Sequence, residues 1–346
     1  YGYPQYRAVD PTPFLAPFFF LFFGLCLTDA GYGIILSILS LIGLWKIKEG
    51  KRLFQLLFLG GLAAIICGAL TGGWFGIERI PHFLERIVLF APLKDPMIFF
   101  ILALALGFGQ IVFGVIIKMS KELLRHQFRE GLLGEGSWIV IFLGILFLIL
   151  GSKMMGEEQA KRIGLWLLAF GAFNRVVLYG LFSKRKIVGM GLGLLFLLDG
   201  AKNFLGNVLS YSRLMALGLV TGVIAMVINI MAQVAFETPV IKYFIIIIVL
   251  LVAIVVAKKF PKAKYIIAIS PLVIIGAVFK KIPIGGYVAM LAILLVGHPF
   301  NLAINTLSGF IHTMRLQFVE FFPYFFEGGG RPFQPFKREE EYTIIK

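Results

Sequence analysis

The chain has 346 residues, 59% of them apolar and 15% charged, with 36 Phe and 39 Gly and a net charge of +15. A soluble domain is about half apolar and a quarter charged, so this composition excludes a soluble enzyme, a disordered chain and a coiled coil. It predicts an all-α, polytopic transmembrane helical protein. In such a protein Lys and Arg are first of all topology signals, so the basic excess does not imply a nucleic-acid partner. Cys26 and Cys67 both lie in apolar runs, as small buried hydrophobes would, and no metal-ligand spacing is present. The chain begins Tyr1-Gly2-Tyr3-Pro4, without Met or a leader, and reads as a fragment whose upstream part is missing.

A spanning helix needs about 20 apolar residues. Apolar runs occur at 14–28, 30–46, 53–77, 96–117, 138–152, 163–182, 193–235, 241–257, 265–279 and 285–322. This predicts about eight core helices plus an extra hairpin at 241–279, either two crossings or a re-entrant loop. The first two runs meet at Thr28-Asp29-Ala30-Gly31 and are one kinked helix or a tight pair. Gly68, Gly72 and Gly76 recur every four residues, a small-xxx-small pattern read as close helix packing. No Walker-type loop is present, so no ATP site is expected, and the spacing of Gly189, Gly191 and Gly193 is not read as a dinucleotide loop.

Basic residues cluster at 46–52, 118–129, 184–186, 258–264 and in the tail, which the positive-inside rule assigns to the cytoplasm together with both termini. Four bases remain inside spans: Arg175, Lys202, Arg213 and Arg315. Arg175, near Tyr179, reads as an interfacial anchor.

The runs 193–235 and 285–322 are the informative ones. Helices of roughly 40 residues are about 60 Å long, twice the hydrocarbon thickness, and must tilt strongly or project. On the later helix His298, Asn301, Asn305, Ser308, His312 and Arg315 follow at spacings of three and four, one polar line along one face. On the earlier one Asp199, Asn203, Ser210 and Arg213 share a face, with Lys202 and Asn207 beside it. After Arg213 that face turns apolar through Leu217, Val220, Ile224 and Val227.

Polar lines inside lipid are costly unless they meet water or partners. The charge bias places one stripe in the cytoplasmic half and starts the other in the external half, and each ends at an arginine. That is the layout of two offset half-channels. Guanidinium keeps its proton, so neither arginine relays protons, but each can hold a carboxylate in its charged form. Asp199 is about four turns from Arg213 and Glu320 lies five residues beyond Arg315, so a matching carboxylate is expected from another subunit. Snorkelling or a static ion pair is the plain alternative for both arginines. Asp29, between the first two runs, is a helix cap or an inlet residue.

The stretch Asn203-Phe204-Leu205-Gly206-Asn207-Val208-Leu209-Ser210-Tyr211-Ser212-Arg213-Leu214 resembles the penultimate helix of the membrane stator subunit of rotary V/A-type ATPases, subunit a or subunit I. Gly297-His298-Pro299-Phe300-Asn301 through His312-Thr313-Met314-Arg315-Leu316-Gln317-Phe318-Val319-Glu320 resembles its last helix. Phe326-Glu327-Gly328-Gly329-Gly330-Arg331-Pro332-Phe333 resembles its tail, and Asp10-Pro11-Thr12-Pro13-Phe14 and Asp29-Ala30-Gly31-Tyr32-Gly33 the start of its membrane half.

The resemblance implies a stator subunit beside a rotating proteolipid ring, each ring subunit carrying a membrane-embedded carboxylate, with protons passing by two half-channels. Arg213 corresponds to the essential arginine and Arg315 to its partner. Asp29, Asp199, Lys202, Asn203, Ser210, His298, Asn301, Asn305, Ser308, His312, Gln317 and Glu320 are the implied ion-pathway positions. Asn305 stands where some V-type relatives carry Glu.

Peripheral-stalk subunits would attach through the missing N-terminal half, and no cofactor or metal is implied. The expected divisions are a cytoplasmic lead-in at 1–13, peripheral helices at 14–192, ion-translocating helices at 193–322 with the hairpin insertion 240–281, and a cytoplasmic tail at 323–346. A stand-alone secondary transporter or channel is the alternative function.

Overall fold

The computed structural model of the chain describes residues 2–5, 10–77, 81–126, 128, 130–151, 155–178, 186–237 and 284–330. The insertion 240–281 and the tail beyond Gly330 lie outside the described residues. The long helices among the described residues are α1 (Thr12–Leu27), α2 (Ala30–Lys46), α3 (Lys51–Thr71), α4 (Pro96–Leu124), α5 (Gly136–Leu150), α6 (Glu157–Phe173), α7 (Lys186–Ser210), α8 (Ser212–Glu237) and α9 (Ile284–Arg315). Four helical stretches among the described residues are long and apolar enough to cross a bilayer: Lys51–Thr71, Pro96–Leu124, Lys186–Glu237 and Gly286–Tyr324. Leucine and isoleucine side chains on them face outward, and Ile38, Leu39 and Leu41 on α2 are each more than half exposed. This is an all-α polytopic membrane protein, with an apolar surface because its solvent is lipid.

The helices divide between two compact units. One draws on Tyr1–Pro17, Leu106–Ser210 and Arg315–Lys346, the other on Phe18–Ala105 and Tyr211–Met314.

In the second unit, the first two runs are separate helices. The break is built by Thr28, at φ +40°, and Asp29, which caps α2 by accepting the Tyr32 N–H at 3.0 Å. Helix α3 lies against both helices through small residues. A methyl group on Gly68 would collide with the backbone nitrogen of Ala30, and one on Gly33 would come within 2.7 Å of the Ile65 nitrogen. Lipid supplies no hydrophobic force between helices, so this close backbone approach is what holds them.

The three glycines read as one packing stripe divide their roles. Only Gly68 packs inside α3. Gly72 ends that helix in the left-handed conformation at φ +73°, and Gly76, at φ +68°, lies in the following loop against the backbone of Ala225 and Met226. The run 53–77 therefore is a helix only to Thr71, because a left-handed C-cap satisfies the last carbonyls and turns the chain.

In the first unit, α5 and α6 form an antiparallel pair. Gly144 faces the Gly164 carbonyl, Gly171 faces Ser137 and Ile141, and Asn174 Nδ2 donates to Ser137 Oγ at 2.9 Å. Helix α7 joins them through Phe204, stacked on Phe142 with centroids 4.4 Å apart. Three single turns here are π-helical, at Glu130–Glu135, Asn174–Leu178 and Leu316–Phe321. Such turns are frequent at functional sites.

The stretch Phe325–Glu327, near the last described residues, is fastened to α4. Arg125 makes a two-pronged ion pair with Glu327 at 3.2 and 3.0 Å, and Lys121, 7% exposed, reaches Glu327 at 2.9 Å and the Phe325 carbonyl at 3.3 Å. Beyond it two short strands, β1 (Tyr3–Pro4) and β2 (Gly328–Gly330), pair antiparallel, a small exception to the all-helical expectation.

Gly68→Ala should destabilise the protein by about 1–3 kcal/mol through overpacking. Gly109→Ala, where a methyl group meets nothing within 4 Å, should be neutral or stabilising by helix propensity. Thermal unfolding in detergent compares the two.

A second expectation concerns pH. The Arg125 guanidinium, then the Lys121 ammonium, hold the Glu327 carboxyl below its ordinary value near 4.5. A depressed carboxyl contributes stability in full above that ordinary value and loses it as pH falls through the lowered one. Exchange protection of the paired strands should therefore fall in acid. Glu327→Gln should lower it at pH 7 as well, by about 1 kcal/mol for this partly exposed pair.

Candidate functional site

Two polar settings contain several of the residues singled out by the sequence. The first lies in the second unit, where α9 meets α2 and α8. His298 Nδ1 is 2.6 Å from the Tyr32 hydroxyl, and His298 Nε2 is 3.1 Å from Asn229 Oδ1. Asn229 Nδ2 donates to the Phe75 carbonyl at 2.7 Å. Asn301 Nδ2 donates to the Tyr32 hydroxyl at 3.0 Å and to the Thr221 carbonyl at 3.4 Å, and Asn305 Nδ2 donates to Asn301 Oδ1.

Tyr32, Asn301 and Asn305 are 0%, 2% and 4% exposed. The upper half of the polar line on α9 is thus occupied by bonds to its own chain. Buried polar groups with no water in reach must be satisfied this way.

Asp29 belongs to the same region and acts as the cap of α2. Its carboxylate is almost fully buried, and the backbone N–H groups of Phe75, Gly31 and Gly76 act on it besides that of Tyr32. Thr28 ties the joint to α8 by donating to the Gly218 carbonyl at 2.9 Å. Of the two readings of Asp29, the helix cap is the one the geometry displays.

Lower on α9, Ser308 and His312 are half-buried. Arg213 stands at the start of α8, just after the helix is interrupted at Tyr211. That ring is fully buried, edge-on to Phe22 at 5.6 Å. Arg213 is half-buried and interacts with groups of its own chain, so isolation does not distinguish it. Its setting does. The face that follows it on α8 exposes Val220, Ile224 and Val227 by 38–45%, uncovered among the described residues.

The second setting is a polar cavity of about 370 Å³ in the first unit, lined among others by Lys118, Glu135, Arg175, Asn203, Asn207 and Tyr324. Lys118 Nζ is 2.7 Å from Glu135 Oε1. Arg175 donates to the Gly134 carbonyl and lies over the Trp138 ring at 6.0 Å. Asn207 Nδ2 donates to the Tyr324 hydroxyl at 3.0 Å, and Asn203 Nδ2 donates to Asp199 Oδ2 at 3.1 Å. A space of this size, partly lined by charged and amide groups, has room for several waters, whose share of liquid volume is about 30 Å³ each.

Asp199, Lys202 and Asn203 are exposed and Ser210 is half-buried, its hydroxyl bonded to the Gly206 carbonyl. Gln317 and Glu320 sit buried on the π-helical turn after α9, Gln317 accepting from Gln110 Nε2 at 2.7 Å, while Arg315 is exposed. Arg175 is a wall of this cavity, a role that its reading as an interfacial anchor did not contain.

Several partners had no distinctive sequence signal. Tyr32 follows Asp29 by three residues, and Gln110 and Asn229 are lone amides in apolar runs. Lys118 belongs to the basic cluster 118–129, and Glu135 is a lone acid between Gly134 and Gly136. A polar residue in an apolar run is the one trace that marks Gln110 and Asn229.

No protein-family model matches the chain. Subunit I of the A-type ATP synthase of Methanocaldococcus jannaschii is 32% identical over 376 residues, covering 99% of this chain and 47% of that protein. Its counterpart from Pyrococcus abyssi is 31% identical, covering all of this chain and 46% of the relative. Subunit I of the V-type ATP synthase of Chlamydia pneumoniae is 25% identical over 98% of this chain. The chain spans about half the length of the curated relatives it matches.

Proposed function

Since this chain belongs, over the half of those proteins that it spans, to the subunit I (subunit a) family of A- and V-type ATP synthases, we propose that it is the ion-translocating membrane part of a stator. In this reading it passes protons to and from carboxylates on a rotating proteolipid ring, while peripheral-stalk subunits join through a further half of the subunit. Both termini lie on the cytoplasmic side.

The observation that carries the proposal is the polar cavity lined by Asn203 and Asn207 of α7, ten and six residues before Arg213 in the chain. A membrane scaffold needs no polar space at that position. A half-channel does, and Asp199, Lys202, Asn203 and Ser210 extend the polar face along the same helix. On α9 and the turn after it, Ser308, His312, Gln317 and Glu320 serve the other half-channel.

Arg213 supplies the electrostatics. A guanidinium 4 Å from a carboxylate contributes about 4 kcal/mol at an effective dielectric near 20, or roughly three pKa units. That is enough to force an arriving protonated ring carboxyl to release its proton at neutral pH. The permanent charge equally bars protons from crossing directly between half-channels. Arg315 gives the last helix the same fixed charge. The exposed apolar face of Val220, Ile224 and Val227 supports a lipid-like neighbour such as a ring helix.

Arg213→Ala in the full complex, reconstituted in vesicles, should lower ATP-driven proton pumping by ~100-fold or more, the equivalent of about 3 kcal/mol, with assembly intact. Undiminished pumping by an assembled variant would defeat the reading. Proton flux through the purified chain alone would favour a stand-alone channel.

A further inference from the structure

We propose that Tyr32 and Asn229 are positioning residues that lock α9 onto α2 and α8, and that the chain running through His298, Asn301 and Asn305 holds this lock and carries no protons. The proposal rests on the stator reading for its functional meaning and on hydrogen-bond direction for its content.

Two backbone carbonyls set that direction, since a carbonyl only accepts. The Phe75 carbonyl takes Asn229 Nδ2, so Asn229 turns Oδ1 towards His298, and His298 Nε2 must carry the hydrogen. The Thr221 carbonyl takes Asn301 Nδ2, which also donates to the Tyr32 hydroxyl. Tyr32 then has its own hydrogen to give, and the acceptor within reach is His298 Nδ1. Asn301 Oδ1 in turn accepts from Asn305. Every bond therefore points the same way, from Asn305 to Asn301, Tyr32, His298, Asn229 and finally Phe75. The imidazole is the neutral Nε2–H tautomer, because a second ring hydrogen would leave the buried Tyr32 O–H facing only donors.

A proton relay needs each member to take a proton on one side and release one on the other. Imidazole and phenol do this, but a carboxamide nitrogen has no basic lone pair to take a proton. Here the Tyr32–His298 couple is bounded on both sides by amides, Asn301 and Asn229, each anchored on a backbone carbonyl. Tyr32, Asn301 and Asn305 are closed to water, so no solvent bridge bypasses the Asn301 amide, while His298 and Asn229 are half-buried. The arrangement conducts nothing and joins three helices at one point. It also reaches the Gly72–Ile77 loop, where Phe75 presents its carbonyl at φ +51° and Gly76 packs on α8. The proton route along α9 then lies at Ser308 and His312, nearer Arg315.

The two roles separate in whole complexes in vesicles. His298→Gln keeps an amide donor for Asn229 but cannot relay a proton, and should pump within about twofold of the parent. Tyr32→Phe removes the shared hydroxyl and should lower the thermal midpoint of the complex, leaving the number of protons pumped per ATP unchanged in the assembled fraction. In ¹⁵N-histidine spectra of the unaltered complex, His298 should show the neutral Nε2–H pattern. An assembled His298→Gln complex that hydrolyses ATP but pumps at under a tenth of the parent rate would overturn the proposal, as would an Nδ1–H or doubly protonated ring. If His298→Gln does not assemble, the ¹⁵N pattern of the unaltered complex decides. Arg213→Ala, assayed in parallel, reports on the stator reading alone.

Discussion

A polar group in a bilayer has no water to fall back on, and that constraint explains most of this molecule. Each side-chain amide, hydroxyl or charge inside the spans has to be bonded by its own chain, reached by water, or met by a neighbouring protein. All three outcomes have a place here. The Tyr32–His298–Asn229 cluster is bonded internally. The groups around Asn203, Asn207 and Glu135 border a cavity large enough for water. Under the proposed function, Arg213 meets a carboxylate that another polypeptide brings past it.

Helix association follows from the same absence of water. Apolar side chains gain nothing by leaving lipid for protein, so contacts depend on close backbone approach. Gly24, Gly33 and Gly68 supply it around α3, and Gly144, Gly164 and Gly171 between α5 and α6. Those contacts hold α3 against α1 and α2, and α5 against α6. A polar clamp at Tyr32 then needs only a handful of bonds to set where α9 lies against α2 and α8.

Much of the helical framework was legible because apolar runs of spanning length leave few alternatives, and the run 30–46 became α2 almost residue for residue. Helix ends were less so. Helix α4 continues through Lys118 and Lys121 to Leu124 because charged residues at a bilayer surface are compatible with helix. The run 53–77 stops at Thr71 because Gly72 takes a left-handed cap.

The polar line on α9 was visible from spacing alone, but spacing is blind to partners. Nothing in the pattern distinguished Asn301, bonded to Tyr32, from Ser308, left half-buried further along the same face. Charges outside the spans carried still less signal. Lys118 read as part of a cytoplasmic basic cluster, and only the fold turns it, with Glu135, to a cavity wall beside Arg175.

The central claim is that the face of α8 bearing Arg213 looks onto a moving carboxylate. Cysteines placed at Ser210 and Leu217, one turn either side of Arg213, can be tested for disulfide cross-linking to cysteines beside the acidic residue of the ring helix in the assembled complex. The account predicts cross-links to successive ring subunits that stop ATP-driven rotation and are reversed by reductant. Efficient cross-linking to stationary subunits, with none to the ring, would contradict it.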